Sequence, residues 1–162
     1  MGDPRRKHKK YSRPKKPFDK ERIEEEKILM KKYGLKNKRE IWKAEFKIDN
    51  IRKQAKSLLS KGLDEQQEFL NKLREMGFKV EKLDDVLALT KEDILERRLQ
   101  TIVFKKKLAN TPKHARQLIV HKHIGVAGKI VNKPSFIVPI ELENDIKVRI
   151  KKKIKAKENQ NG

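Results

Sequence analysis

The sequence predicts an α+β fold, in which a helical N-terminal part is followed by a small domain of two helices packed on a short antiparallel sheet. Apolar residues recur at steps of three and four from Ile41 to Leu58, and again in two shorter runs at 95–102 and 115–119. This spacing places them on one face of a helix. After His123 the apolar residues alternate with polar ones, which is the spacing of strands.

The composition limits the classes to which the chain can belong. Hydrophobic residues make up 35% of the 162 residues and charged residues 41%, so the core must be small. The absence of cysteine excludes disulfides and thiolate metal sites, and it fits an intracellular protein. No apolar run approaches the roughly 18 residues of a spanning helix, and no apolar stretch follows the basic N-terminus as in a secretory signal. We therefore expect a cytoplasmic protein without a membrane partner.

The formal net charge of +21 is distributed unevenly along the chain. Residues 1–17 carry eight basic groups and one acidic group, and residues 94–133 carry ten and one, whereas residues 18–93 carry 19 and 17. A solubility device would not need such a partition, so the two basic segments predict a polyanionic partner. We divide the chain into a basic extension (1–17), a helical domain (18–93), a basic module (94–150) and a basic, then polar, tail (151–162).

The basic extension contains three prolines and almost no apolar residues. Such a segment cannot bury enough surface to offset its ordering entropy, so we expect it to be disordered when free. Its cations are expected to lie along phosphates once a partner is present; the alternative is a dispensable terminus. The candidate nucleic-acid contacts here are Arg5, Arg6, Lys7, Lys9, Lys10, Arg13, Lys15 and Lys16.

The helical domain contains three predicted helices. Each is followed by a glycine that can adopt the left-handed conformation closing a helix, namely Gly34, Gly62 and Gly77. Asp19 is positioned to cap the first helix, Asn37 with Glu40 has the spacing of a capping pair for the second, and Asp64 is expected to cap the third. A short helical turn is expected at 84–87.

The basic module opens with two predicted helices. Thr90 begins the first, which is expected to be continuous, so that Arg98 and Lys105 share one flank. Thr111 and Pro112 are typical of a helix start, as N-cap and first helical residue, and they begin the second. The inward-facing residues of the two helices are expected to be Leu95, Leu99, Ile102, Val103, Ala115, Leu118 and Ile119.

The sheet of the basic module is predicted from its turn and its alternation. Ala127 and Gly128 form a tight turn between two short strands, and residues 146–150 alternate as a last strand. The second module helix turns Lys113, Arg116 and Gln117 outward. Its first N–H groups suit a phosphate, and the small turn residues permit close backbone approach.

These features predict a surface that binds nucleic acid. Few aromatic residues and the absence of a major-groove motif favour folded RNA recognised through shape and phosphate. The candidate contacts in the basic module are Arg97, Arg98, Lys105, Lys106, Lys107, Thr111, Lys113, His114, Arg116, Gln117, His121, Lys122, Gly128, Lys129, Asn132 and Lys133.

No pattern in the sequence indicates an enzyme. His121 and His123 are two apart, but no acidic residue lies in the neighbouring turns, so we expect no metal. The consecutive residues Glu24, Glu25 and Glu26 fan around a helix and cannot form a catalytic carboxylate pair. Because no glycine-rich phosphate loop or nucleophile elbow is present, we expect neither catalysis nor a cofactor.

Four segments carry a resemblance to a known family. Residues 94–99, 111–119 and 123–129 (ILERRL, TPKHARQLI and HIGVAGK) resemble the S-four RNA-binding domain. Residues 131–139 (VNKPSFIVP) resemble the small-subunit ribosomal protein S-four family in its archaeal form.

That resemblance implies a structural protein of the small ribosomal subunit. It implies direct binding to small-subunit ribosomal RNA, nucleation of the subunit body during assembly, a contribution to translational accuracy, and small-subunit protein S-five as a neighbour. Homo-oligomers are not expected. The alternative is a free S-four-domain factor of the ribosome-recycling or heat-shock type that associates with ribosomes transiently. Enzymes that carry this domain have a large catalytic domain, for which residues 1–93 are too short and too charged.

The sequence departs from the family pattern at two positions. Ala127 stands where many relatives have Asn, so a polar side chain is missing from the turn. Lys122 stands where many relatives have Gly, which opposes a left-handed end to the second module helix. Some family members bind zinc through N-terminal cysteines, which this chain does not have.

Overall fold

The computed structural model describes residues 9–149 and confirms the predicted α+β class. These residues form eight helices and a three-stranded antiparallel sheet of order β2-β1-β3. The helices are α1 (Lys20–Tyr33), α2 (Arg39–Leu58), α3 (Leu63–Glu75), α4 (Leu83–Ala88), α5 (Lys91–Glu96), α6 (Leu99–Lys105), α7 (Pro112–Val120) and α8 (Ile140–Glu143). The strands are β1 (Ile124–Val126), β2 (Lys129–Ile130) and β3 (Ile146–Val148). The start of the basic extension, the predicted end of the last strand and the tail lie outside the described residues.

Buried apolar side chains form two clusters. The first cluster contains residues of all five helices from α1 through α5. It includes most of the apolar residues predicted to line one face of α2: Ile41, Ala44, Ile48 and Ala55 are buried, and Ile51 is half-buried. The second fills the space between α6, α7 and the sheet, with Leu99, Val103, Ile119, Ile124 and Val138 almost fully buried. Within residues 9–149, no helix combines the length and the apolar character needed to span a bilayer.

The ends of α1 and α3 follow the sequence prediction, but the start of α3 does not. Gly34 and Gly77 close these helices with φ of 60° and 88°. Gly62 precedes α3 instead of stopping α2, because α3 begins at Leu63. Asp64 therefore lies inside the first turn of α3. Its negative charge interacts favourably with the positive end of the helix dipole, but its side chain does not cap the helix. Asp19 occupies the N-cap position of α1, but its side chain makes no capping hydrogen bond.

Two lysines close the helices of the basic module. Lys107 and Lys122 have φ of 56° and 63°, in the left-handed region. The Lys122 N–H donates to the Ile119 carbonyl at 3.0 Å, and the next N–H donates to the Leu118 carbonyl at 2.9 Å. These two bonds satisfy carbonyl groups at the helix end in the same way as a C-terminal glycine motif. The left-handed stop that Lys122 was expected to oppose is therefore present.

The predicted turn between β1 and β2 is confirmed. Gly125 pairs with Ile130 and Val126 with Lys129, which leaves a two-residue loop. Ala127 and Gly128 have φ of 47° and 76°. Positive φ at both loop residues is the mark of a type I′ turn, whose twist matches that of the flanking strands.

The first helix of the basic module is interrupted, contrary to the prediction. It begins at Thr90 as expected, with Asp93 accepting the Thr90 N–H at 2.7 Å, but α5 ends at Glu96 and α6 starts at Leu99. The interruption has a backbone cause. The Leu99 N–H donates to the Phe136 carbonyl at 2.7 Å, and the Val138 N–H donates to the Arg97 carbonyl at 3.1 Å. Because this strand-like pairing replaces helical hydrogen bonds, Arg98 and Lys105 do not share one helix.

The inner face of α7 is centred on Ala115 and Ile119, both with no exposed surface. Leu118, which was expected to be buried, is half-buried at the margin of the second cluster. Ile119 is therefore the better probe of this core.

We expect Ile119→Ala to destabilise the protein by about 2–5 kcal/mol, because it removes buried methyl groups and leaves a cavity. Val120→Ala is the matched control, since Val120 is 51% exposed on the same helix. Urea denaturation followed by circular dichroism measures both. Equal midpoints for the two variants would contradict the assigned core.

Candidate nucleic-acid interface

One exposed face of α7 carries four polar side chains. Lys113 and His114 are adjacent, Gln117 follows His114 after three residues and His121 follows Gln117 after four, and all four are exposed. The hydroxyl of Thr111 accepts the His114 N–H at 3.1 Å, so the predicted N-cap fixes the start of this face. From residue 97 to residue 133 the sequence contains no acidic residue, so the residues next to this face in sequence carry only positive charge.

Loops and helix ends contribute further exposed groups in the same part of the chain. The side chains or backbone of Lys107, Lys122, Gly128, Lys129, Asn132 and Lys133 are exposed. The rings of His121 and His123 are stacked, with centroids 6.5 Å apart. Over residues 9–149, no group of three His, Cys, Asp or Glu side chains is arranged to hold a metal ion.

Arg97 is half-buried, and its side chain is directed into the protein instead of towards the predicted surface. Its guanidinium donates to the Val138 carbonyl at 2.7 Å, to the Met76 carbonyl at 3.2 Å and to the Glu143 carboxylate at 2.9 Å. Gly77 leaves the space that this guanidinium occupies, since a Cβ there would lie 2.3 Å from Arg97. The Arg97 side chain thus connects the end of α3 to the segment that follows the sheet turn.

Arg98 and Arg116 converge on the carboxylate of Glu40. Arg116 approaches it with two guanidinium nitrogens, at 2.9 Å and 3.2 Å, and the buried Arg98 forms a close ion pair with the same carboxylate. The prediction that Arg116 faces outward is therefore wrong: its side chain points towards α2. Burial alone would raise the pKa of Glu40, but the hydrogen bonds from Arg116 and Arg98 hold that pKa below the ordinary value.

Glu40 was predicted to be half of a helix cap. The capping pair is not formed, because Lys38 occupies the N-cap position of α2; Asn37 precedes it, and its side-chain oxygen accepts the Arg39 N–H at 3.0 Å. The Glu40 carboxylate reaches the Lys36 N–H only at 3.3 Å, and its main partners are the two arginines of the basic module.

Gln100 is a structural residue that sequence analysis missed. It is buried, and its amide nitrogen lies within 3.0 Å of the carbonyl oxygens of Tyr33, Gly34 and Pro112. Gly34 and Pro112 are in close contact, since a Cβ at Gly34 would lie 2.8 Å from the Pro112 Cβ. The sequence offers one indication of this role: Gln100 is a polar residue that directly follows Leu99, which faces inward in the predicted helix.

Lys105 and Lys106 also have partners within the protein. The ammonium of Lys105 lies 3.0 Å from the Glu96 carboxylate, and that of Lys106 donates to the Glu143 carbonyl. The Lys105 pair is about half exposed, so it is weak in water and can be exchanged for a phosphate.

The described part of the basic extension is attached to α2 by an aromatic contact. The Tyr11 ring stacks on Trp42 with a centroid distance of 6.4 Å, and the Arg39 guanidinium lies 5.3 Å from the Tyr11 centroid. Sequence analysis identified no apolar anchor here. The side chains of Lys9, Lys10, Arg13, Lys15 and Lys16 are exposed, and Arg5, Arg6 and Lys7 lie outside the described residues.

Known proteins match both the basic module and the helical domain of this chain. Residues 97–144 match the S4 domain family. Small ribosomal subunit protein uS4 of Methanococcus aeolicus is 50% identical over 153 residues, covering 90% of this chain and 86% of that protein. The uS4 protein of Saccharolobus islandicus is 47% identical over 164 residues, covering 97% and 91%. The chain belongs to the uS4 family.

The match to the S4 domain begins where the helix is interrupted. Its first residue, Arg97, is the first after α5, and the matched segment includes α6, α7, β1 and β2. The matches to the uS4 relatives cover 90% and 97% of this chain, so they extend beyond the S4 domain into the helical domain.

We expect Glu40→Gln to lower the free energy of unfolding at neutral pH by about 3 kcal/mol, because Arg98 and Arg116 then lose a buried counter-charge. The folded-state pKa of Glu40 is lowered, so its contribution is present above the ordinary carboxyl pKa of 4.5 and is lost as the pH falls through the folded-state value. The difference between wild type and variant should therefore shrink in acid.

Urea denaturation at a series of pH values down to about 3 measures this difference. Glu45→Gln is the control, since Glu45 is an exposed residue of the same helix. A Glu40→Gln penalty that is unchanged across the series would show that the carboxylate charge does not carry the interaction.

Proposed function

We propose that the chain is a structural protein of the small ribosomal subunit that binds small-subunit rRNA directly. One observation carries the RNA contact. Five exposed cations between residues 97 and 133 have no ion-pair partner among the described residues, namely Lys107, Lys113, Lys122, Lys129 and Lys133. Membership of the uS4 family supports the ribosomal setting.

The mechanism of binding is electrostatic and positional. Lysines that have no acidic neighbour gain most from phosphate, because each contact releases condensed counterions from the RNA. Thr111, His114, Gln117, His121 and Asn132 add hydrogen-bonding groups near these charges. The rigid core between α6, α7 and the sheet holds the groups in fixed positions, which favours a folded RNA of matching shape.

The family supports finer proposals about the role of the chain. As a directly bound rRNA protein it would nucleate assembly of the subunit body, lie beside small-subunit protein S-five and contribute to translational accuracy. It would act in the cytoplasm, and its role would be structural, not catalytic. The transient-factor alternative is less favoured, because ribosomal uS4 proteins match both the helical domain and the basic module.

Occupancy tests the ribosomal proposal. The tagged chain should copurify with small subunits in a one-to-one ratio and remain bound after washing at high salt. Loss of the chain during the wash, with intact small subunits left behind, would instead support the transient factor.

We expect Lys113→Gln combined with Lys129→Gln to weaken binding to small-subunit rRNA and to lower the log–log salt slope by about 1.4–1.8, since each phosphate contact contributes about 0.7–0.9. Arg116 is left unchanged, because replacing it would disturb Glu40. The control is Lys20→Gln with Lys27→Gln on α1, where both side chains are exposed. Equal slopes for the two double variants would remove Lys113 and Lys129 from the interface.

We expect deletion of residues 1–17 to reduce rRNA affinity and to lower the salt slope by several units, because eight basic groups are removed. The variant Tyr11→Ala distinguishes the contribution of the aromatic contact with Trp42 from that of the basic groups. It keeps every cation, so it should change the slope little while weakening the attachment to Trp42. Filter binding at three salt concentrations measures both variants, and a slope unaffected by the deletion would identify the extension as dispensable.

A further inference from the structure

A groove of about 650 Å³ runs alongside α2, between that helix and residues 134–137. Phe46 and Ile137 contribute to its apolar lining, and three lysines line it as well: Lys43 and Lys47 from α2 and Lys10 from the basic extension. Lys10 reaches the groove beside Tyr11, the residue that stacks on Trp42. The volume is within the range of about 300–1,000 Å³ that is usual for small-ligand sites.

Within residues 9–149, the charge of the groove is not neutralised. Glu40 is the one acidic residue that this part of the chain contributes to the lining, and its carboxylate is already paired with Arg98 and Arg116. Lys10, Lys43 and Lys47 have no ion-pair partner among residues 9–149. Partial desolvation, with the positive charges of Arg98, Lys10 and Lys43, lowers the pKa of Lys47. The free protein thus concentrates mutually repelling charges here, an arrangement that an anionic ligand would relieve.

We propose that this groove binds one unstacked nucleotide of RNA, with its base against Phe46 and its phosphates at Lys43 and Lys47. The inference rests on the proposed function and adds a second, separate contact to the α7 face. A phosphate alone would need only the lysines, and the apolar lining would then serve no purpose. Asn50, one helical turn after Phe46, also lines the groove and can both donate to and accept from a base edge.

Crosslinking from the groove tests the occupant. The full chain with Phe46→p-benzoylphenylalanine is assembled into small subunits and irradiated, and the attached molecule is identified by sequencing. Phe46 is half-buried and outside both core clusters, so the replacement should not unfold the protein. We expect a crosslink to one rRNA nucleotide. The same photoreactive residue at Leu63, which is 74% exposed at the start of α3, is the control and should not label that nucleotide.

Charge removal provides the second measurement. Lys43→Gln with Lys47→Gln should weaken rRNA binding about tenfold and lower the salt slope by about 2. Lys53→Gln with Lys56→Gln removes the same charge from exposed positions of α2 outside the groove, and should change affinity less than about twofold. The first pair should also leave the melting temperature of the free protein equal or higher, because it removes repulsion.

The outcomes separate this inference from the proposed function. If the wild type binds rRNA but the Phe46 position crosslinks to a neighbouring protein or to nothing, the nucleotide site is overturned and rRNA binding stands. Equal affinities for the two lysine pairs would have the same meaning. If the wild type does not bind small-subunit rRNA, both proposals fail.

Discussion

The carboxylate of Glu40 fixes the helical domain and the basic module in one arrangement. It lies in the first turn of α2 and accepts hydrogen bonds from Arg98, just before α6, and from Arg116 on α7. Removing one partner of such a partly buried cluster is costly, because it leaves a charge that water cannot fully reach. This acidic side chain therefore helps to set the position of α7 relative to α2, and so of the exposed α7 face relative to the groove.

Two neighbours of Arg98 extend the same junction in different directions. Arg97 connects the end of α3 with the Val138 carbonyl, and Gln100 connects the end of α1 with the start of α7. Arg97 and Gln100 each find three acceptors, which limits the cost of taking their polar groups out of water, whereas the buried Nε of Arg98 has no hydrogen-bond partner among residues 9–149. The two apolar clusters lie on either side of it and supply the non-directional part of the stability.

Local rules were sufficient to predict most elements, and contacts between distant segments account for what was missed. Periodicity located α2 and α7, and the Thr111–Pro112 start and the Ala127–Gly128 turn were both correct because their conformations depend on nearby residues. The interruption between α5 and α6 was missed, since it depends on pairing with residues that follow Pro134. No local pattern encodes such pairing.

The same limit explains the errors in the candidate site. A basic residue is assigned to the surface when no acidic residue is near in sequence, and the basic module offers only Glu96 before residue 134. The structure supplies acceptors from farther away: Glu40 is 58 residues from Arg98, and Glu143 is 46 residues from Arg97. The spacing of Asn37 and Glu40 indicates only a local cap, and it carries no sign of contacts with Arg98 and Arg116, which are 58 and 76 residues away.

Only part of the positive charge of the basic module is available to RNA, because half of its cations between residues 94 and 133 have partners within the protein. Of the ten basic residues from 94 to 133, five interact within the protein, and the other five have no ion-pair partner among residues 9–149. The five with partners are Arg97, Arg98, Lys105, Lys106 and Arg116. Five phosphate contacts at about 0.7–0.9 each would give a salt slope of about 4, half of what ten cations would suggest. Net charge therefore overstates the interface, because part of it holds the protein together. Under the proposed function, RNA phosphates would neutralise the cations of the α7 face and of the groove that have no ion-pair partner among the described residues.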